Sequence, residues 1–235
     1  MKSRTHAHFF AFNASSPMDT GAGSNIFSGI CVGTSNHWLM IDRAQSRYTY
    51  LMHRPPLKHC RVCGTAVAYR LPDDGDTRER AVCPACLTVH YENPLNVVGT
   101  VPVWGKDGAQ VLLCRRNIEP RRGKWTLPAG FMEMGETTSE GAARETDEEA
   151  GAQFEMQELF AIINVVRVGQ VHLFYRAQLL SAEFKPGYET MEARLFTESE
   201  IPWDEIAFRT VKETLEHYFS DRRKGAFGIH VGDIA

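Results

Sequence analysis

The segment GFMEMGETTSEGAARETDEEAGA, residues 130–152, sets Glu145, Asp147, Glu148 and Glu149 within five positions. Thr137 followed by Glu140 fits a capping box that opens a helix, and Gly151 sits where such a helix stops. The acids therefore fall at the helix C-terminus, where the dipole is negative and disfavours each anion by about 0.3–1 kcal/mol. Like charges one turn apart add a similar cost. A bound cation would offset both. Glu145, Glu148 and Glu149 stand at i, i+3 and i+4, one face of a helix. Three carboxylates on one face form the hard oxygen donor set that Mg²⁺ or Mn²⁺ prefers. Gly141, Ala142, Ala143 and Ala150 keep the rest of the helix slim enough to lie close to a sheet. The loop GFMEMGE before the helix can bring backbone oxygens to the same ion. The plainer alternative is a charged surface helix laced by ion pairs.

A second constraint lies upstream. Cys60-x-x-Cys63 and Cys83-x-x-Cys86 are separated by 19 residues, the spacing of a four-thiolate zinc site. Gly64 and Pro84 suit the tight turns that aim two sulfurs at one tetrahedral ion. Such a closed site leaves no open coordination position, so Zn²⁺ here folds the module rather than catalyses. Four reduced cysteines in ordinary hairpins, or a redox pair, are the alternatives.

These motifs divide the chain. Residues 1–55, with NASSPMDTGAGSN, show no sustained period and predict a disordered extension; a targeting peptide is the rival reading. Met52 lies just before the first cysteine pair, where the working protein is expected to begin. Residues 56–94 form the zinc ribbon, 95–225 the main domain and 226–235 a tail. Within the main domain NVVGTVPVW, AQVLLCRR, FEMQELFAIINVVRV, QVHLFYRAQLL and MEARLF read as strands. KWTLPAGF reads as a short strand entering a loop, with turns at GKDG and Gly169. FRTVKETLEHYFSDRR reads as an amphipathic helix with Val211, Leu215, Tyr218 and Phe219 on one side.

The acidic segment resembles the signature of the Nudix hydrolases, G-x5-E-x7-R-E-U-x-E-E-x-G-U with U aliphatic. Gly130, Glu136, Arg144, Glu145, Glu148, Glu149 and Gly151 fall on its fixed positions, while Thr146 and Ala152 replace the two aliphatic residues. The resemblance implies an α/β/α sandwich around a mixed sheet and a metal-dependent pyrophosphatase acting on a nucleoside diphosphate derivative. It implies that Glu145, Glu148 and Glu149 bind the divalent metal and that one of them helps deprotonate water. It further implies that Arg144 and Glu136 support them and that Gly130 offers its carbonyl.

A zinc ribbon ahead of this domain resembles both the NADH pyrophosphatases and the bacterial relatives of the chloroplast FAD/ADP-ribose pyrophosphatases. Glu192 in MEARLF matches a metal-binding glutamate of the first group; an exposed strand-end residue is its alternative. That group's SQPWPF-type array is absent between Gly151 and Glu192, whereas LLCRRNIEPRRGKWTLPAGFME and EIPWDEIAFRTV fit the second group. FAD or ADP-ribose, cleaved to release AMP, is therefore the expected substrate; NADH, or a nucleotide-sensing module without catalysis, is the alternative. Arg115, Arg116, Arg121 and Arg122 precede the catalytic loop and suit pyrophosphate oxygens, against the alternative of a solvated basic loop. Phe131 and Trp203 are candidates to stack on a base, or else core residues.

The formal net charge of −3, with no basic stripe, argues against nucleic acid. No apolar run long enough to span a bilayer is present, so no membrane partner is expected. With two Cys-x-x-Cys pairs that suggest metal rather than disulfides, a cytoplasmic protein is expected. A small-molecule dinucleotide is the partner, with a homodimer left open.

Overall fold

The computed structural model describes residues 55–235. The expectation of a disordered extension rests on residues before these and lies outside the described part.

The ribbon is a three-stranded antiparallel sheet of β1 (Ala68–Arg70), β2 (Arg80–Val82) and β3 (Val89–His90). Its two cysteine turns repeat the same hydrogen bonds. Gly64 N–H donates to Cys60 O at 2.9 Å and Leu87 N–H to Cys83 O at 3.0 Å; Cys60 N–H meets Thr65 O and Cys83 N–H meets Thr88 O. Both turns need a left-handed residue. Gly64 supplies it at φ 76°, and Leu87 adopts it at φ 60° despite its Cβ.

The main domain is a mixed sheet in the order β10-β5-β4-β9-β8-β11, with helices on both faces. Its strands are β4 (Leu95–Trp104), β5 (Gln110–Arg116), β8 (Phe154–Val165), β9 (Gln170–Leu179), β10 (Thr190–Thr197) and β11 (His230–Ile234). Two short strands, β6 (Trp125–Thr126) and β7 (Ala129–Phe131), are added on β5 and β4. The helices are α1 (Thr138–Ala150) and α2 (Arg209–Lys224). The expected α/β/α sandwich is what the chain forms.

Strand β5 shows why both faces are covered. Val111 and Leu113 join the cluster that holds Val211, Leu215, Tyr218 and Phe219 of α2. The alternate residues Leu112 and Cys114 join Ala150 and Ala152 at the end of α1. A strand buried on both sides reads as an unbroken apolar run, as VLLC does. Each large apolar side chain fully buried this way contributes about 1.5–3 kcal/mol. Tyr218 also donates its hydroxyl to Gly108 O at 2.7 Å, which ties α2 to the turn between β4 and β5.

Strands β4 and β5 pair only near that turn, at Val103–Val111 and Trp104–Gln110. Beyond it they separate. The segment read as one short strand crosses the gap, pairing first with β5 through Trp125 and Thr126, then with β4 through Ala129 to Phe131. Pro128 lies between and has no N–H for a ladder, so one strand becomes two. The crossing requires glycine at Gly99, where a Cβ would run into Ala129 and the Pro128 carbonyl. This crossing delivers Gly130 beneath α1.

The expected tail is instead partly edge strand. Residues 230–234 form β11, parallel to β8, with His230 Nε2 2.7 Å from Asp221 Oδ2 and Asn164 Nδ2 donating to Asp233 Oδ1 at 2.8 Å. A stretch holding Gly232 and Asp233 has low intrinsic strand preference; pairing with β8 and α2 decides it.

Candidate active site

Helix α1 begins as the capping box dictates. Glu140 N–H donates to Thr137 Oγ1 at 3.2 Å, and Thr137 N–H donates to Glu140 Oε2 at 2.8 Å. It ends at Gly151, φ 55°, with no basic residue in its last turn. The loop before β10 supplies what that end lacks. Lys185 N–H donates to Ala150 O at 2.9 Å and Gly187 N–H reaches Glu149 O at 3.4 Å. Gly187 has no room for a side chain, since a Cβ would run into the carbonyl oxygen of Glu148.

Arg144 is the hub of the acidic face. Its Nε and Nη2 donate to both oxygens of Glu136 at 3.0 and 2.9 Å. Nη1 donates to Glu145 at 2.8 Å and to Glu148 at 3.1 Å, and Nη2 also reaches Phe131 O at 3.2 Å. The two-pronged bond from Arg144 holds Glu136 down to about 2, and Glu133 N–H adds to it at 2.7 Å. Glu145 moves the other way: burial raises it, against the pull of Arg144. Gly130 lies directly under its carboxylate, which would collide with any Cβ there.

Glu149 is the buried member, 7% exposed, and its Oε2 accepts only the Ala129 N–H, at 3.1 Å, among the described hydrogen bonds. Burial pushes its carboxyl up to about 8; the charge of Glu145 adds to this and Arg116 opposes it. Two acids, one of them deeply buried, with one N–H and one shared arginine between them, suit a divalent cation that neutralises both. The three candidate ligands do not converge on one point. Glu145 and Glu148 turn to Arg144, and Glu149 turns to Ala129. Among the described residues, the four cysteines alone place three or more candidate ligand atoms within 4.8 Å of one another.

Those cysteines fit zinc. Cys60–Cys86, Cys63–Cys83 and Cys63–Cys86 sulfurs lie 3.6, 3.4 and 3.5 Å apart. Four sulfurs about 2.3 Å from a tetrahedral ion stand about 3.8 Å apart, so little adjustment is needed. His90 Nε2 lies 3.3 Å from Cys60 Sγ.

The expected phosphate-binding arginines separate into two kinds. Arg116 turns inward, 9% exposed, donating to Pro120 O at 2.9 Å and lying over the Phe208 ring. It is a brace for its own loop. Arg115 and Arg122 stay at the surface, with Arg115 Nε on Gly123 O at 3.0 Å and Arg122 Nη2 on Asn117 Oδ1 at 3.2 Å. Arg121 occupies a left-handed turn position at φ 66°. Glu192 stands on β10 with its carboxylate 4.0 Å from Arg115. Trp203 packs against the core, whereas Phe131 is 40% exposed. Glu189 was not singled out from the sequence, yet its charge acts on both Glu145 and Glu149. No spacing rule reaches it, because it lies on a loop 40 residues beyond Glu149.

A sheet with helices on both faces, carrying a carboxylate helix over a glycine loop and preceded by a four-cysteine ribbon, defines a class. The NUDIX domain model matches residues 94–217, and the model described as Nudix N-terminal, a zinc ribbon, matches residues 58–92. The chain belongs to the Nudix hydrolase family.

It is similar to a solved NUDIX hydrolase from Nitrosomonas europaea, 49% identical with a TM-score of 0.71, over 76% of this chain and 99% of that one. It is also similar to the NAD-capped RNA hydrolase NudC of Photobacterium profundum, 30% identical over 72% of this chain and 62% of that protein. An ADP-ribose pyrophosphatase of Methanocaldococcus jannaschii is 29% identical over 40% of this chain and 57% of that protein. The chain thus spans less than two thirds of these two curated relatives. One of them is named for hydrolysis of NAD-capped RNA, a nucleic-acid substrate of the kind that the expectation from net charge sets aside. No helix of the described residues is long and apolar enough to cross a membrane.

Proposed function

We propose that this chain hydrolyses the pyrophosphate bond of a nucleoside diphosphate derivative, FAD or ADP-ribose before others, and releases AMP. The observation that carries this reading is the Arg144 hub, which holds Glu136, Glu145 and Glu148 together beside the buried Glu149 and over Gly130. A charged surface helix would not bury a carboxylate to 7% exposure.

In this reading Glu145, Glu148 and Glu149, with the Gly130 carbonyl, hold Mg²⁺ or Mn²⁺. When bound, the metal neutralises the pyrophosphate and lowers the pKa of water. The protein's own groups do the rest. Arg144 keeps Glu145 and Glu148 aimed through its ion pairs to both. Glu149, fixed by the Ala129 N–H, is placed to hold a proton taken from water. Glu189 and Glu192 stand by as further acids at the rim, and Arg115 and Arg122 face phosphate oxygens. The four cysteines hold a structural Zn²⁺ away from the reaction.

A second reading, cleavage of an NAD-type dinucleotide free or at an RNA end, is favoured by the NudC relative. The missing SQPWPF-type array weighs against it. The test is kcat/KM for FAD, ADP-ribose and NADH under one Mg²⁺ or Mn²⁺ condition, reading AMP release. Differential contacts to the non-shared half are worth about ten- to two-hundredfold. NADH ahead of both others by tenfold would overturn the FAD and ADP-ribose assignment, and no cleavage of any would overturn hydrolysis.

A further inference from the structure

The loop between β9 and β10 is pinned from both sides and leaves one aromatic bare. On one side Lys185 N–H and Gly187 N–H cap the end of α1, and Gly187 sits against the Glu148 carbonyl. On the other, Asn117 fastens two consecutive residues. Its Nδ2 donates to Tyr188 O at 3.0 Å, and its backbone N–H donates to Glu189 O at 2.7 Å. The same Asn117 side chain accepts from Arg122 Nη2 at 3.2 Å. One residue thus joins the basic loop after β5 to the loop that carries Glu189 beside the box acids. Between these anchors Tyr188 is 87% exposed. A single exposed aromatic needs no explanation on a free loop. Here the backbone on either side is held by hydrogen bonds, so the chain that carries the ring has little backbone freedom left to lose on binding.

We propose that Tyr188 is a substrate-binding residue that stacks on a planar base of the dinucleotide, with Asn117 as the residue that positions it. The inference rests on the pyrophosphatase reading above and adds to it the contact that grips the organic half of the substrate. The chemistry is complementary around one short stretch: carboxylates for the metal, Arg122 for phosphate, and a flat ring for a base. Aromatic stacking accepts any base face, so it provides grip while the metal site acts on the pyrophosphate. Binding energy of this kind is made equally in ground and transition states, so its loss is read in KM and not in kcat.

The experiment compares wild type, Tyr188→Phe, Tyr188→Ala and Asn117→Ala with FAD, ADP-ribose and NADH. Tyr188→Ala is expected to raise KM about tenfold for at least one substrate with kcat within about threefold. Tyr188→Phe is expected to restore wild-type KM, and Asn117→Ala to raise KM in the same direction. An effect equal on all three substrates assigns the ring to adenine, and an effect on FAD alone assigns it to flavin. Active wild type with KM unchanged in Tyr188→Ala overturns the proposal and leaves the pyrophosphatase reading standing. If wild type cleaves none of the three, that reading fails on its own. Calorimetric binding of FAD, which carries both planar bases, with Mg²⁺ then decides: tenfold weaker binding in Tyr188→Ala sustains the stacking role, and equal or undetectable binding ends it.

Discussion

Thr100 Oγ1 and Thr146 Oγ1 lie 2.7 Å apart, both fully buried, and join β4 to α1. Thr146 donates its own proton to Ala142 O at 2.7 Å, so Thr100 is the donor between them. The hydroxyl at a position the Nudix signature reserves for an aliphatic residue is thus matched by a second hydroxyl on the strand that α1 packs against. Thr146→Val alone strands the Thr100 donor and is expected to cost about 1–3 kcal/mol. The double change with Thr100→Val removes both groups and should recover most of that loss. Urea denaturation of the four proteins gives the cycle; a double-variant loss equal to the sum of the two single losses would show that the pair is not coupled.

Glu149→Gln should lower turnover at saturating Mg²⁺ by more than about a hundredfold, the size expected when a metal ligand or proton acceptor is lost. In the metal-free protein the same change should leave the melting temperature unchanged or higher. The carboxylate is buried with one N–H partner, and an amide avoids the cost of its charge. Near-normal turnover would remove Glu149 from the site.

Burial holds the His172 imidazole down to about 4. The unfolded chain takes up this proton near its ordinary pKa of about 6.5. Stability from the neutral ring is therefore complete above about pH 6.5 and is lost as pH falls toward 4, by on the order of 3 kcal/mol. His172→Phe should flatten this part of the stability profile between pH 6.5 and 4. An unchanged slope would place the acid sensitivity elsewhere.

Purified protein prepared without chelator should carry about one zinc per chain, bound by Cys60, Cys63, Cys83 and Cys86. Cys60→Ser, which removes a buried ligand, should abolish it by elemental analysis. Restoration of activity to metal-free enzyme by Zn²⁺ alone would contradict a purely structural ion.

The box was legible because its parts are local. A helix turns every residue by a fixed angle, so the spacing of Glu145, Glu148 and Glu149 places them on one face wherever the helix lies. The capping box at Thr137, the stop at Gly151 and the matched cysteine turns are equally short-range. The strands in VLLC and the α2 face were readable for the same reason, since their periods repeat within one element.

What the sequence determined by itself, then, was the family, the two modules and the set of acids and thiols, each written in spacings of a few residues. The tertiary structure decided which acid is buried, which arginine turns inward and which loop reaches the site. Glu149 is buried where its carboxylate meets Ala129 of the crossing segment, whereas Glu148 turns to Arg144. Arg116 and Arg115 differ by the face of β5 they leave. Asn117 meets residues 188 and 189 across about 70 positions of chain, and β11 exists because β8 offers it an edge. These outcomes depend on contacts between elements far apart in sequence, and no local period or propensity carries that information.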